Sequence, residues 1–211
     1  MKMAAGINEL KILGLCTSPR NNGYTNKLLN KALEGVLSCQ SKYGHTFSTE
    51  LYTVEGKNHQ PCAGCRACQQ SKKCVIQDDI QILHEKMMFS DGIIIGSPVY
   101  FYDINAQCKI IIDRSFAVKP LNGNKAGAII ITASSMGTSN AVSTLNMFFS
   151  VHGITSAGWL SAYSKSDEGE AAILSAFELG KKIAQIAEEK RHLDSDAFNS
   201  FRHIAYGTHS L

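Results

Sequence analysis

Cys62, Cys65, Cys68 and Cys74 stand in the spacing C-x2-C-x2-C-x5-C, so that four of the seven cysteines fall within thirteen residues. A short loop with this spacing can aim three or four thiolates at one point. The C-x2-C-x2-C core is shared with ferredoxin-type loops that hold a 4Fe-4S cluster. A cluster on these four cysteines would make the chain a carrier of single electrons. Two other chemistries use the same thiols. Zinc takes four thiolates tetrahedrally, although two separated C-x2-C knuckles are its usual arrangement. A pair of these cysteines can also form a switchable disulfide. Arg66, Lys72 and Lys73 flank the run. They can stabilise thiolates or form an ordinary solvated rim.

The rest of the composition narrows the setting. Apolar residues make up 44% and charged residues 18% of 211 residues, enough for one well-buried α/β domain. A net charge of +3 is too mild to argue for nucleic acid. No apolar run approaches the length of a membrane span. The first nine residues lack the apolar core of a signal peptide, so a cytoplasmic protein is expected. In a reducing cytosol, clustered cysteines serve metals or redox chemistry more often than structural disulfides. Cys16, Cys39 and Cys108 fall in strand-like or helix-like segments and read as small buried residues.

The positioning elements alternate along the chain. Strands are predicted over residues 10–16, 46–54, 92–97, 125–133 and 155–163. Helices are predicted over 25–43, from a cap at Asp78 or Asp79 to 90, over 105–117 and 139–152, and from a cap at Asp167 to 191. Five short apolar strands with helices between them imply an α/β three-layer sandwich with a parallel sheet. The flavodoxin-like order 2-1-3-4-5 is the natural topology. One domain over 1–193, with a cysteine-rich insertion at 60–76, would then be followed by a tail at 194–211. Ligands of such sheets sit beyond the carboxyl ends of the strands.

Three loops lie at that edge. The first, residues 17–26, is rich in hydroxyl and amide side chains and ends at a helix N-terminus, which favours an anion. Ser18, Thr25 and Asn26 can add hydrogen bonds and Arg20 can add charge. The loop is neither a Walker loop nor G-x-G-x-x-G, and it suits a terminal phosphate monoester. Read plainly, it is a polar turn with a helix cap. The second loop, residues 97–103, carries three consecutive aromatics, Tyr100, Phe101 and Tyr102, where polar residues would be usual. A flat heterocycle resting on it would account for them, and packing on the next helix is the plainer alternative. The third loop, residues 133–138, has small residues that permit close backbone approach. None of the seven histidines lies in these loops.

Taken together, Ser18-Pro19-Arg20 with Gly23 and Thr25, then Gly96-Ser97-Pro98-Val99-Tyr100, then Lys109 to Arg114 resemble the NAD(P)H-dependent FMN reductase superfamily. The cysteine run followed by Asp78-Asp79 is similar to its iron–sulfur flavoprotein branch. The third loop departs from the pattern, with Ser134-Ser135 where many relatives carry paired glycines. The resemblance implies non-covalent FMN. Its phosphate would be held by Ser18, Arg20, Asn22, Gly23, Thr25 and Asn26, and its ring by Pro98, Val99, Tyr100 and Phe101. Ser134, Ser135, Met136 and Gly137 would close over the flavin. The resemblance further implies a homodimer or homotetramer, with the 194–211 tail at an interface, and NAD(P)H or ferredoxin as donor. The expectation is an FMN-dependent oxidoreductase with a cluster that serves a small redox partner or small-molecule acceptor. A cluster-free reductase of flavin, quinone or nitro compounds competes with it, as does a zinc or redox sensor.

Overall fold

The computed structural model describes residues 9–121, 124–163 and 169–192. Six strands and six helices follow in order: β1 Glu9–Cys16, α1 Tyr24–Leu37, β2 Thr46–Thr53, α2 Ala67–Ser71, α3 Ile80–Phe89, β3 Gly92–Tyr100, β4 Asp103–Ile104, α4 Ala106–Arg114, β5 Ala126–Ala133, α5 Thr138–His152, β6 Thr155–Tyr163 and α6 Gly169–His192. The sheet order is β2-β1-β3-β5-β6, and every pairing along that path is parallel. This is the expected flavodoxin-like order, with one addition. The short β4 folds back antiparallel on the end of β3.

The strands are apolar because the sheet is covered on both faces. All eight residues of β5 are buried. Helices α1 and α6 cover one face, where Leu28, Leu29, Ala32, Ile183 and Ala184 pack on Ile12, Ile94 and Ile130. Helices α3, α4 and α5 cover the other, where Leu83, Ile111 and Leu145 meet Leu13, Ile93 and Ile129. Contact between α1 and α6 is backbone-close. A Cβ added at Gly35 would lie 2.0 Å from the Phe177 carbonyl oxygen, and one at Gly180 would lie 1.8 Å from that of Ala32.

Several boundaries differ from the predicted ones, each for a visible reason. Helix α1 stops at Leu37 rather than near residue 43. The amides of Lys42 and Tyr43 donate instead to the Glu188 carboxylate of α6, at 3.0 and 3.1 Å. Strand β3 runs on to Tyr100 because β4 pairs with its end. Helix α4 ends at Arg114 and passes into a 3-10 turn over Ser115–Val118. The cysteine run, expected as a loop, contains the five-residue α2 between left-handed residues Arg66 and Lys72. Asp79 stands at the N-cap position of α3 but makes no side-chain cap bond, and the carboxylate that meets the helix start is that of Asp78. Asp78 accepts from the Ile80 amide at 3.1 Å, while Asp79 accepts from the Asn58 amide at 2.7 Å. The cap expected at Asp167 and the 194–211 tail lie outside the described residues. Among those described, no helix is long and apolar enough to cross a membrane.

Candidate functional site

The three loops meet at the carboxyl edge of the sheet because the strand ends are level. Cys16 pairs with Gly96, and Pro98 with Thr132. One buried side chain ties two of the loops together. The Asn105 Nδ2 donates to the Thr17 carbonyl at 2.6 Å and to Gln107 at 2.8 Å. Its Oδ1 accepts from Thr17 Oγ1 at 3.0 Å, from Ser97 Oγ at 3.3 Å and from the Cys108 amide at 3.3 Å. Asn105 is also the N-cap of α4. It was not among the expected site residues. Its signal was an asparagine just before a helical pattern, a preferred cap.

The first loop leaves the start of α1 open. Gly23 caps the helix without a side-chain hydrogen bond, so the first-turn amides keep no capping side chain. Gly23 is closely packed, since a Cβ there would meet the Arg20 carbonyl oxygen at 3.0 Å. Ser18 is buried and bonds the Arg20 amide at 3.2 Å, whereas Arg20 and Asn22 are exposed and Asn26 is half-buried. Thr25 is buried, and its hydroxyl is engaged 2.6 Å from that of Thr132. That bond joins α1 to β5 beneath the loop.

The aromatic loop is a tight hairpin. Phe101 and Tyr102, at its tip, both have positive φ, +46° and +68°. This is the pattern of a type I′ turn, which Asn-Gly normally fills and where aromatic residues are strained. Phe101 is 96% exposed, and Tyr100, Tyr102 and Met136 are also largely exposed. Pro98 and Val99 are half-buried beside them. Ser134 and Ser135 are exposed, and Gly137 sits against the hairpin backbone. A Cβ at Gly137 would lie 2.6 Å from the Tyr102 Cα, and its φ of +98° also requires glycine.

The four clustered cysteines occupy a separate place. All are unpaired thiols. Together with Asp113, Arg114, Phe116 and Ala117 they line one cavity of ≈ 480 Å³ against the end of α4. The Gly64 amide donates to Cys62 Sγ at 3.5 Å. Among the described residues, no three Cys, His, Asp or Glu side chains converge closely enough for a single metal ion. Arg66, Lys72 and Lys73 are exposed, as a solvated rim would be. The basic residue in contact with the loop is Arg114, wholly buried against Asp78. Cys16 and Cys108 are buried as expected, and Cys39 is half-buried. Burial pushes the Cys108 thiol up to about 12 and raises those of Cys16 and Cys39, which makes them poor thiolate donors.

A parallel β2-β1-β3-β5-β6 sheet with an open helix start, an aromatic hairpin and a small-residue turn on its carboxyl edge defines a flavodoxin-like flavin oxidoreductase. Comparison with known proteins makes this specific. The model of the NADPH-dependent FMN reductase family matches residues 10–166, and the chain belongs to that family. It is an FMN-dependent oxidoreductase of the iron–sulfur flavoprotein branch. It is 31% identical to an iron–sulfur flavoprotein of Methanocaldococcus jannaschii, over 85% of this chain and 98% of that one. An iron–sulfur flavoprotein of Methanosarcina thermophila is 29% identical over 85% of this chain and 96% of its own length. Among solved structures, a flavone reductase superposes with a TM-score of 0.67 at 18% identity, covering 88% of this chain and 65% of that one. That likeness concerns the fold.

Proposed function

We propose that this FMN-dependent oxidoreductase carries a 4Fe-4S cluster on Cys62, Cys65, Cys68 and Cys74 and exchanges electrons between a two-electron donor and a one-electron partner. The observation that carries the reading is the cavity of ≈ 480 Å³ lined by all four unpaired cysteines. A cubane separates its ligand sulfurs more widely than a single ion does. The cysteines' common lining of one cavity, without closer convergence, therefore suits a cluster better than zinc. FMN supplies the exchange of a hydride or an electron pair for single electrons, and a cluster moves electrons one at a time.

The chain's own residues bind, orient and shield. The uncapped amides of Tyr24, Thr25 and Asn26 suit the flavin phosphate, with the helix dipole favouring its charge. Ser18, Arg20, Asn22 and Gly23 complete that cradle. Thr25 contributes its amide, because its hydroxyl is held by Thr132. Pro98, Val99, Tyr100 and Phe101 form the apolar floor for the ring. Ser134, Ser135, Met136 and Gly137 form the facing turn. Asn105 fixes the phosphate loop to the aromatic loop. NAD(P)H or a ferredoxin is the donor class this layout admits. The exposed aromatic hairpin suits association into a homodimer or homotetramer, or contact with a small redox partner or acceptor.

Anaerobic purification followed by iron, acid-labile sulfide and flavin analysis tests this directly. The expected content is about four iron, about four sulfide and about one FMN per chain. Flavin with neither iron nor sulfide, and unchanged NAD(P)H turnover in Cys65→Ser, would establish the cluster-free reductase instead.

A further inference from the structure

Arg114 is the largest fully buried side chain of the described residues, and both it and Asp78 have wholly inaccessible side chains. Its Nη1 donates to the Gln60 carbonyl and to Asp78 Oδ2, each at 2.8 Å. Its Nη2 donates to the Ile76 carbonyl at 3.2 Å and to Asp78 Oδ1 at 3.0 Å. Gln60 lies two residues before Cys62, and Ile76 lies two residues after Cys74. One guanidinium on the end of α4 therefore gathers both ends of the cysteine loop. Asp78 closes the same ring, because its Oδ2 also accepts the Gln60 amide at 2.8 Å. Both carboxylate oxygens face the guanidinium, the fork geometry that lysine cannot reproduce.

A guanidinium has five N–H donors, and these contacts use four. The fifth, on Nε, is buried without a partner. Arg114 and Cys74 line the same cavity, so this donor is carried on a side chain that adjoins Cys74. Yet among the described residues no hydrogen bond of good geometry joins Nε to the Cys74 sulfur. A buried donor left unpaired on a side chain that lines the cysteine cavity is costly unless an acceptor is supplied there. A metal-bound thiolate is one.

We propose that Arg114, held in place by Asp78, is the positioning residue of the cysteine loop, and that its Nε–H serves the Cys74 thiolate when that residue is a cluster ligand. The inference deepens the cluster reading above and rests on it. Hydrogen bonds and charge near the sulfurs set cluster potentials. A positive donor beside Cys74 makes the cluster easier to reduce. The opposite charge on Asp78 limits that effect.

Arg114→Met, Arg114→Lys and Asp78→Asn, purified anaerobically with FMN, test the proposal through iron content and the cluster's midpoint potential. Arg114→Met is expected to shift the potential negative and Asp78→Asn to shift it positive, with flavin content unchanged. Arg114→Lys keeps the charge but loses the fork, so its iron content should fall while its potential stays nearer that of the unaltered protein. Full iron loading with an unmoved potential in Arg114→Met overturns the proposal. So do shifts of the same sign in Arg114→Met and Asp78→Asn. If Arg114→Met fails to fold, Arg114→Lys and Asp78→Asn carry the comparison, and an unmoved potential in Asp78→Asn is then the overturning result. If the unaltered protein holds no iron, the cluster reading fails first. Amide exchange over residues 60–78 of the flavin-loaded protein then decides the clamp alone. Losing the fork should raise that exchange at least about tenfold in Arg114→Lys, and unchanged exchange overturns the positioning role as well.

Discussion

Asn105 and the buried histidines show how single side chains govern this molecule. Asn105→Ala removes two donors and a shared acceptor beneath the proposed flavin edge, leaving the Thr17 carbonyl and the Cys108 amide without the partner that Asn105 supplies. A loss of roughly 2–4 kcal/mol is expected from urea unfolding, together with weaker FMN retention. His84 and His152 are buried with pKa values pushed down to about 4, chiefly by burial, and His152 Nε2 lies 3.0 Å from Ser115 Oγ. Their folded values lie below the unfolded value of about 6.5, so acid favours the unfolded chain. The stability they provide is full above pH ~6.5 and is lost as pH falls towards about 4. Glu188 acts in a lower window. Burial alone would raise its pKa, but bonds from Ser41, Lys42, Tyr43 and His45 hold it at about 2. That stability is full above the unfolded value of ~4.3 and is lost as pH falls towards about 2. Urea midpoints should therefore drop in two stages on acidification. His84→Gln and His152→Gln should flatten the upper stage only, and Glu188→Gln the lower only.

At the scale of elements, the hairpin and the helix pair make opposite compromises. Phe101 and Tyr102 hold left-handed backbone at a turn that Asn-Gly would fill without strain. Replacing Phe101→Asn and Tyr102→Gly together should stabilise the protein by roughly 1–3 kcal/mol while reducing flavin retention. Increased stability with undiminished flavin binding would show that these rings do not serve the cofactor. Helices α1 and α6 instead reach their close approach with glycines placed where a methyl group would strike backbone. Gly180→Ala should cost on the order of 2 kcal/mol or more, seen as a lowered thermal midpoint, with little effect on the cysteine cavity. Alternating apolar segments made the five main strands, the main helices and the order of the parallel sheet legible in the sequence. The additional strand, β4, was not legible. A two-residue strand exists only because it can pair with β3, and no local pattern encodes that.

For the whole molecule, the layout separates the carboxyl edge of the sheet, the proposed flavin site, from the cysteine cavity. Asn105 and Arg114 stand at opposite ends of α4, about 13 Å apart by helical rise. Two apolar cores, one on each face of the sheet, are built without any of the four clustered cysteines. Chelation of iron under reducing conditions should therefore strip the proposed cluster while leaving FMN bound and far-UV dichroism unchanged. Loss of flavin together with the iron would contradict this independence.

The sequence by itself determined the family, the parallel sheet and the four cysteines, because spacing, periodicity and loop chemistry are local properties of a chain. It did not reveal Asn105 as the tie between two loops, Thr132 as the partner of Thr25, or Arg114 as the clamp on both ends of the cysteine run. Each of those bonds joins residues at least 36 positions apart, or fixes two loops at once. Only the level strand ends and the path of α4 bring them within hydrogen-bonding distance. Arg66, Lys72 and Lys73, the basic residues nearest the cysteines in sequence, face solvent. The guanidinium that meets the loop comes from α4, which follows β3 and β4 in the chain, and tertiary structure alone placed it there.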